Sequence, residues 1–345
     1  MSITNKRPTT CGVQTPHLKF YFLALILSSV FSCNNPPTEI QHIDATLVTE
    51  ISAWNDSIFF GKLADIEYSD NQFFLADRDA NRVLVLDDQL QYIHHFGQHG
   101  PGPAEIRGIM NLEVNSDGIF VQDILGAKLL KYNRKFQLTD TLRAQFTHSE
   151  IALYSNRIIG QVRGDIESPF TVINTSNKEQ EPISFGQKLE RELGYPYKHL
   201  VEYKGLLLAF SMYNSAKVEV YDGNGNFLNA TDLSLLNSDF SSWLKAQNID
   251  QLVQSSTSRR RNLQAVYFDV VQRNDRFYLN TPPISINGKV DGIVLEVAMN
   301  DQFEFYITRI IHLNDYTNLP CFTMPTDNTI LGFSPIPGTL KLYKF

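Results

Sequence analysis

Polar side chains that could bind a ligand lie near the ends of short apolar runs. Arginine is the most informative of them, because its planar guanidinium offers a rigid fork of donors to carboxylates, sugars or a peptide backbone. The predicted ligand-binding residues are Arg78, Arg82, His99, Arg107, Asp123, Lys128, Arg163 and Tyr213. A structural interpretation stands beside this one: Asp77 and Asp123 would cap turns, and Arg82 and Lys128 would pair with carboxylates.

The histidines do not have the pattern of a metal site. His94 and His95 are adjacent, and adjacent residues of a strand point to opposite faces, so both cannot ligate one ion without a bulge. We therefore predict no metal site and no cofactor, although loop carbonyls and Asp side chains could bind calcium in a channel. The sequence contains no Gly-x-Ser-x-Gly elbow, phosphate-binding loop or dinucleotide fingerprint, so no catalytic residue is predicted.

The composition is globular and favours strands over helices. The chain has 345 residues, 43% of them hydrophobic and 19% charged, with a net charge of -7. Its 15 Tyr and 23 Phe suit the pleated, half-buried surface of a sheet. The negative charge and the absence of a basic patch interleaved with aromatic residues argue against nucleic acid as a partner. The three cysteines, Cys11, Cys33 and Cys321, predict no disulfide framework.

A two-strand motif recurs along the chain. The apolar runs at residues 73–77 and 83–87 are separated by a polar break, and the same motif recurs 46 residues later at 119–123 and 129–133. The second strand of the motif begins at residues 83, 129, 170, 218, 293 and 340, which gives steps of 46, 41, 48, 75 and 47. Steps of about 40 to 50 residues are typical of propeller blades, each built from four short strands.

The sequence therefore predicts an all-β fold, a single six-bladed β-propeller at residues 45–345. The 75-residue step exceeds the preceding one by 27 residues (75 − 48), and apolar residues at three-to-four spacing predict a short helical insertion at about 236–262, between blades four and five. The last copy ends at Phe345 with no room for an outer strand. An alternating run in residues 45–60 could supply that strand and close the ring.

A family resemblance follows from the first motif. Residues 73–87 (FFLADRDANRVLVLD) and 96–105 (FGQHGPGPAE) resemble the six-bladed propeller lipoproteins of Bacteroidota, which are similar in pattern to NHL-repeat and TolB-like propellers. The resemblance is sharp over residues 63–133 and fades to a hydrophobic rhythm in blades three to six. It implies a fold and a location in the cell envelope, but no reaction.

The first 32 residues have the pattern of a lipoprotein signal peptide. Residues 1–19 include Lys and Arg but no Asp or Glu, and residues 20–31 form a 12-residue apolar run. That run is shorter than the roughly 20 residues that span a bilayer as a helix. It leads into Val30-Phe31-Ser32-Cys33, which resembles a lipobox, so Cys33 is the predicted lipid attachment site. Residues 33–44 are interpreted as a polar tether.

These observations predict a monomeric outer-membrane lipoprotein that faces either the periplasm or the medium. The leading interpretation is a non-enzymatic binding or scaffold propeller that engages a peptide, a glycan or an envelope protein on one face. The alternative is a propeller enzyme, such as a lactonase, a lyase or a glycan-active hydrolase, with or without calcium. Convergent acidic residues beneath a pocket favour the enzyme, whereas a broad face with arginine and aromatic side chains favours the binding protein.

The lipid anchor can be tested directly in cells. If Cys33 is the attachment site, Cys33→Ala removes the only cysteine at the end of the apolar run, and incorporation of a labelled fatty acid into the protein should be lost. Labelling followed by gel fluorography measures this. Labelling that persists in the variant would contradict the assignment.

Overall fold

The computed structural model describes residues 39–55, 58–144, 146–154, 157–162, 170–174, 180–183, 198–212, 216–236, 241–242, 266–286, 289–314 and 317–345. All of these belong to one compact unit, Pro36–Phe345. Strands dominate, and one turn of 3-10 helix is present at Leu233–Leu235. Within the described ranges, no helix is both long enough and apolar enough to cross a membrane. The signal peptide and Cys33 lie outside the described residues.

The first three blades are consecutive four-stranded antiparallel sheets. Blade one contains β3 (Leu63–Ser69), β4 (Gln72–Asp77), β5 (Arg82–Asp87) and β6 (Tyr92–Phe96). Blade two contains β7 (Ile109–Asn115), β8 (Gly118–Asp123), β9 (Lys128–Tyr132) and β10 (Leu138–Arg143). Blade three contains β11 (Phe146–Tyr154), β12 (Arg157–Val162), β13 (Phe170–Asn174) and β14 (Gln180–Ile183).

The last three blades complete the ring and include strands from the amino-terminal segment. Blade four contains β15 (Lys198–Tyr203), β16 (Leu206–Ser211), β17 (Lys217–Tyr221) and β18 (Phe227–Asp232). Blade five contains β19 (Asp269–Arg273), β20 (Arg276–Asn280), β23 (Ile293–Met299), β24 (Phe305–His312) and β1 (Gln41–Asp44). Blade six contains β25 (Cys321–Thr326), β26 (Thr329–Ser334), β27 (Thr339–Lys344) and β2 (Thr46–Ile51).

Apolar side chains fill the space between every pair of neighbouring blades. The buried apolar residues form six clusters, and each cluster joins two adjacent blades. In β4, Phe73 and Leu75 pack towards blade six, whereas Phe74 and Ala76 pack towards blade two. A strand buried on both faces reads as a continuous apolar run, which explains why the motif strands lack polar alternation. The six-bladed propeller predicted from the repeat is thus the observed fold, and each predicted repeat start falls in the third strand of a blade.

The amino-terminal segment is shared between two blades. β2 pairs antiparallel with β27 and is the outer strand of blade six. β1 pairs in parallel with β24 and adds a fifth strand to blade five. From the sequence, residues 41–44 are assigned to the tether, since only one of these four residues is apolar. The backbone pairing with β24 makes them part of the propeller instead.

The predicted helical insertion at about 236–262 is not supported. Most of that segment lies outside the described residues. Of its described residues, only Ser241 and Ser242 have helical conformation, and two residues are too few to define a helix. Part of the long repeat step has a different origin. A hairpin of β21 (Ile284–Ile286) and β22 (Lys289–Asp291) is inserted between β20 and β23 of blade five.

The junction of blades five and six provides a test of this amino-terminal closure. Ala45 is buried in their shared apolar cluster, so Ala45→Arg should lower the free energy of unfolding by roughly 3 kcal/mol or more through overpacking and a buried charge. Val48, three residues away, is 55% exposed, and Val48→Arg should change it by less than about 0.5 kcal/mol. Chemical denaturation of both variants measures this, and equal effects would contradict the closure.

Candidate functional site

Polar side chains on the innermost strands bind one blade to the next. The Asp65 carboxylate of blade one accepts hydrogen bonds from the backbone N–H of Ile66 at 2.8 Å and of Leu112, in blade two, at 2.7 Å. It also accepts one from the Asn111 side-chain amide at 2.9 Å. The Asn111 side-chain oxygen accepts in turn from the N–H of Ile151, in blade three, at 3.2 Å. We call these contacts the inner-strand latches.

A second latch joins blades four, five and six. The Asp269 carboxylate accepts from the backbone N–H of Val270 and from that of Phe322, in blade six, each at 2.8 Å. His199 Nε2 of blade four lies 3.1 Å from the carbonyl oxygen of Phe268, and its Nδ1 lies 3.9 Å from Asp269 Oδ1. Cys321 is buried beside these groups, with its Sγ 3.9 Å from the carbonyl oxygen of Leu63 in blade one.

The latches arise from a simple requirement of the backbone. Each innermost strand pairs with another strand on one edge only, so the N–H groups on its other edge need acceptors from elsewhere. Side-chain carboxylates and amides are the acceptors that Asp65, Asn111 and Asp269 supply. The same residues therefore stabilise the ring, and the two aspartates among them place carboxyl groups at its centre.

Burial shifts the ionisation of these groups. Removal from water raises the pKa of the Asp65 carboxyl from its ordinary value of 3.8 to about 7, and the nearby charge of Asp269 acts in the same direction. Hydrogen bonds from Leu112 and Ile66 partly oppose this rise. Burial lowers the pKa of His199 and raises that of the Cys321 thiol, so both stay neutral near neutral pH. A pKa of about 7 means that the charge of Asp65 can change near neutral pH.

A cavity of about 570 Å³ opens above the latches, towards the turns that join the first and second strands of the blades. A volume of this size accommodates a small ligand or a side chain of a larger one. Its acidic lining residues are Asp65, Glu67, Glu113, Asp117, Glu202 and Asp269. Its uncharged polar lining residues are Asn111, Asn115, Ser116 and Gln272, and Tyr68, Leu200, Val270 and Phe322 are among the apolar ones.

The charged residues in the described lining of this cavity are all acidic. Six carboxylic acids line it, and no lysine or arginine is among its described lining residues. Clefts lined by charges of one sign concentrate ions of the opposite sign. Asp65 and Asp269 form the buried floor, Glu67, Glu113 and Glu202 are half-buried above them, and Asp117 is exposed. The arrangement is suited to a cationic group that enters from solvent.

Those residues predicted from sequence that the structure describes lie at the opposite end of the channel. Because β4 runs antiparallel to β3, Asp77 lies beside Leu63, and the loop that follows Asp77 is far from the cavity end of β3. His99 and Arg107 are exposed in the loop between blades one and two, and His99 Nδ1 lies 3.1 Å from the Asn81 side-chain amide. Arg78 is exposed in the loop after β4. Arg163 and Tyr213 lie outside the described residues.

Several of these residues have structural contacts at that end. Asp77 accepts from the N–H of Ala80, and Arg82 Nε lies 3.3 Å from Asp77 while its Nη2 donates to the carbonyl of Phe59. In blade two, Asp123 and Lys128 occupy the positions that Asp77 and Arg82 have in blade one. Asp123 accepts from the N–H groups of Gly108 and Gly126, and Lys128 donates to the carbonyl of Gly102. These contacts are those of the structural interpretation, and whether the residues also bind a ligand stays a prediction.

The described side chains form no group of three or more His, Cys, Asp or Glu arranged to hold a metal ion. His94 stacks on Phe136, and His95 Nδ1 lies 2.6 Å from the hydroxyl of Tyr92. The two imidazole rings also stack on each other, with their centroids 6.0 Å apart.

Sequence reasoning missed the cavity floor, although one signal was available. Asp65 and Asn111 are 46 residues apart (111 − 65), which equals the first step of the repeat. A polar residue that recurs at the same place in two inner strands indicates a shared contact between blades. His199 and Asp269 do not continue the period, because repeat steps are unequal later in the chain.

Comparison with known proteins supports the fold. A family described as 6-bladed beta-propeller, DUF5128, matches residues 53–159, which contain blades one and two and the start of blade three. No curated protein matches the sequence. The chain is a six-bladed β-propeller.

Solved structures resemble this fold at low sequence identity. A protein of Bacteroides fragilis that is thought to be exported is 14% identical, with a TM-score of 0.56, covering 88% of this chain and 99% of its own. A member of the DUF4221 family from Bacteroides vulgatus is 8% identical, with a TM-score of 0.55 and coverages of 87% and 97%. A virginiamycin B lyase from Staphylococcus aureus is 9% identical, with a TM-score of 0.50 and coverages of 87% and 99%. At these identities the likeness concerns the fold alone.

The dependence of stability on pH tests the account of Asp65. Its folded-state pKa of about 7 lies above the ordinary value of 3.8, so between these values the folded protein binds a proton more tightly than the unfolded chain. Its contribution to the free energy of unfolding therefore falls as pH rises from about 4 to 7, by roughly 4 kcal/mol. An amide at this position would not titrate, so Asp65→Asn should gain stability relative to the parent protein over this interval.

Chemical denaturation of the two proteins at pH 5, 6, 7 and 8 measures that difference. Loss of one acceptor in the variant shifts its curve by a constant amount, which does not affect the slope. Asp269→Asn is the matched variant: it removes the neighbouring charge, so the Asp65 transition should move to lower pH. A difference between Asp65→Asn and the parent that does not vary with pH would contradict the raised pKa.

Proposed function

We propose that the chain is a binding propeller of the cell envelope whose acidic cavity receives a basic side chain of a peptide partner. The observation that carries the proposal is the one-sided charge of an open cavity of about 570 Å³, with six carboxylic acids and no described lysine or arginine in its lining. A cation that enters gains Coulomb energy from several carboxylates at once. The net charge of -7 adds to this attraction at longer range.

The depth of the cavity suits a long side chain. Asp65 and Glu67 are two residues apart on β3, so they lie about 7 Å apart along the strand and form a lower and an upper tier of carboxylates. Leu200, Val270 and Phe322 are apolar residues of the same lining. Lysine and arginine bury their methylene groups against apolar surface while their charged ends reach polar partners. A side chain of this kind matches the two tiers and the apolar wall together.

A peptide fits this lining better than a neutral glycan. Carboxylates can accept hydrogen bonds from sugar hydroxyls as well as from an ammonium or guanidinium group, but only a cation gains Coulomb energy from several of them at once. A peptide with several basic residues could also place a second cation near Asp117, the exposed acid of the lining. The proposal therefore selects the peptide, or a basic segment of an envelope protein, from the partners that the sequence left open.

An enzyme is the second candidate, and the convergence of acidic residues beneath a pocket favours it. A carboxyl with a pKa of about 7 beside a second carboxylate is a common feature of acid–base sites. Against this, the oxygens of Asp65 and Asp269 are occupied by backbone N–H donors that connect the blades. Carboxyl groups whose oxygens are engaged in this way are better suited to pairing with a cation than to exchanging protons with a bound substrate.

The cellular setting is part of the proposal. The lipobox-like sequence before Cys33 supports a lipid anchor, and an outer-membrane location agrees with the resemblance to lipoproteins of Bacteroidota. A protein of similar fold from Bacteroides fragilis is thought to be exported. We propose a monomer anchored through Cys33 that binds no nucleic acid, because the acidic cavity would repel phosphates.

Binding of a lysine peptide tests the site. A capped lysine tripeptide should bind with an affinity that falls as salt is added, whereas the same peptide acetylated on its side chains should not bind, because acetylation removes the charge. Glu67→Gln should weaken binding about fivefold, which corresponds to about 1 kcal/mol. Isothermal titration calorimetry measures both.

Two matched variants locate the binding site. Asp88→Asn removes one negative charge at an exposed turn outside the cavity and should leave the affinity unchanged. Arg107→Ala alters the opposite end of the channel and should also have no effect. A loss of binding in Arg107→Ala with no loss in Glu67→Gln would place the site at the sequence-predicted residues instead.

A further inference from the structure

We propose that the cavity exchanges a proton for its cationic ligand: Asp65 holds the proton when the cavity is empty and releases it when a cation enters. This inference rests on the proposed function and adds its regulation. In chemical terms the O–H bond of the Asp65 carboxylic acid breaks, the proton goes to a solvent base, and the carboxylate pairs with the ligand cation. One positive charge leaves the floor of the cavity as another arrives.

The geometry places two carboxyl groups on one closed floor. Asp65 and Asp269 belong to blades one and five, are 8% and 5% exposed, and line the same cavity. Each accepts hydrogen bonds from two backbone N–H donors, which hold its carboxyl group in place. Two carboxylates held in one buried space repel each other, and retention of a proton by one of them relieves the repulsion.

The other groups around Asp65 do not supply the missing positive charge. His199 and Cys321 are the titratable groups beside it on blades four and six. Burial lowers the pKa of His199, although the charges of Asp269 and Asp65 oppose this, so the imidazole is neutral near neutral pH. Burial raises the pKa of the Cys321 thiol, which is neutral as well. Glu67 on its own strand and Glu113 on the next blade are acidic. Lys and Arg are absent from the described lining, so a cation from solvent is the group that can stabilise the ionised form of Asp65.

The balance of forces on Asp65 supports a change of charge near neutral pH. Burial and Asp269 favour the neutral acid, whereas the N–H groups of Leu112 and Ile66, and His199 when it is protonated, favour the carboxylate. The resulting pKa is about 7. A cation within a few ångströms adds to the second set and lowers the pKa. At pH 6.5, Asp65 is then mostly protonated in the empty cavity and ionised in the occupied cavity.

The consequence is acid-dependent release. Below pH 7, ligand binding must displace the proton, so the affinity should fall by as much as about tenfold for each further pH unit. Above pH 7, Asp65 is already ionised and the affinity should be independent of this group. The cavity would hold its partner at neutral pH and release it in acid.

Calorimetry in two buffers measures the exchanged proton. The full chain is titrated with the capped lysine tripeptide at pH 6.5 in PIPES and in imidazole, whose different ionisation enthalpies report how many protons are released for each peptide bound. We expect roughly half to one proton for the parent protein. We expect none from this group in Asp65→Asn, which retains the other five acids of the cavity.

Two further results decide the inference. Asp269→Asn lowers the pKa of Asp65, so its proton release at pH 6.5 should decrease, and this variant replaces Asp65→Asn if the latter does not fold. Equal proton release in the parent protein and in both folded variants would overturn the exchange while leaving the proposed function intact. Absence of peptide binding in the parent protein at pH 8, where no proton must be displaced, would overturn the proposed function itself.

Discussion

The structure depends on one constraint: the innermost strand of each blade has an edge with no neighbouring strand, and the N–H groups on that edge must be satisfied inside the ring. Asp65, Asn111 and Asp269 meet this requirement with side-chain oxygens that also reach the next blade. The apolar clusters between blades supply most of the buried surface, but they are non-directional. The latches fix how the inner strands are positioned relative to one another.

The choice of acceptor has a chemical consequence. An amide such as Asn111 satisfies an N–H without charge, whereas Asp65 and Asp269 bring carboxyl groups into the cavity. The cost of burying them is partly offset by backbone donors and, for Asp65, by retention of a proton. A cationic ligand would offset it further. Ring closure and the proposed preference for a cationic ligand therefore have the same physical origin.

Much of the fold is predictable from the sequence, because strands buried on both faces leave continuous apolar runs at a regular step. Phe73 to Asp77 and the matching runs identify the blades, and the missing outer strand of the last blade points to the amino terminus. β1 was not predictable in this way, since residues 41–44 pair through backbone hydrogen bonds and have no apolar pattern. The hairpin of β21 and β22 was also missed, because three-residue strands are too short to show a period.

The candidate site was harder to predict than the fold. The residue types and spacing pointed to loops that contain arginine and histidine. The cavity is instead lined by inner strands, and its acidic residues come from four blades. Asp65 and Asn111 share the repeat step of 46 residues, and so do Glu67 and Glu113. His199 and Asp269 do not share it and cannot be grouped with them until the ring is closed in three dimensions. A site built from the same position in successive blades becomes visible only with the register of every inner strand.

A crystal structure of the protein with the capped lysine tripeptide tests the central claim most directly. The account predicts a side-chain ammonium inside the cavity, within hydrogen-bonding distance of the carboxylates of Asp65, Asp269 or Glu67. A peptide bound at the opposite end of the channel, beside Arg78 and Arg107, would contradict it.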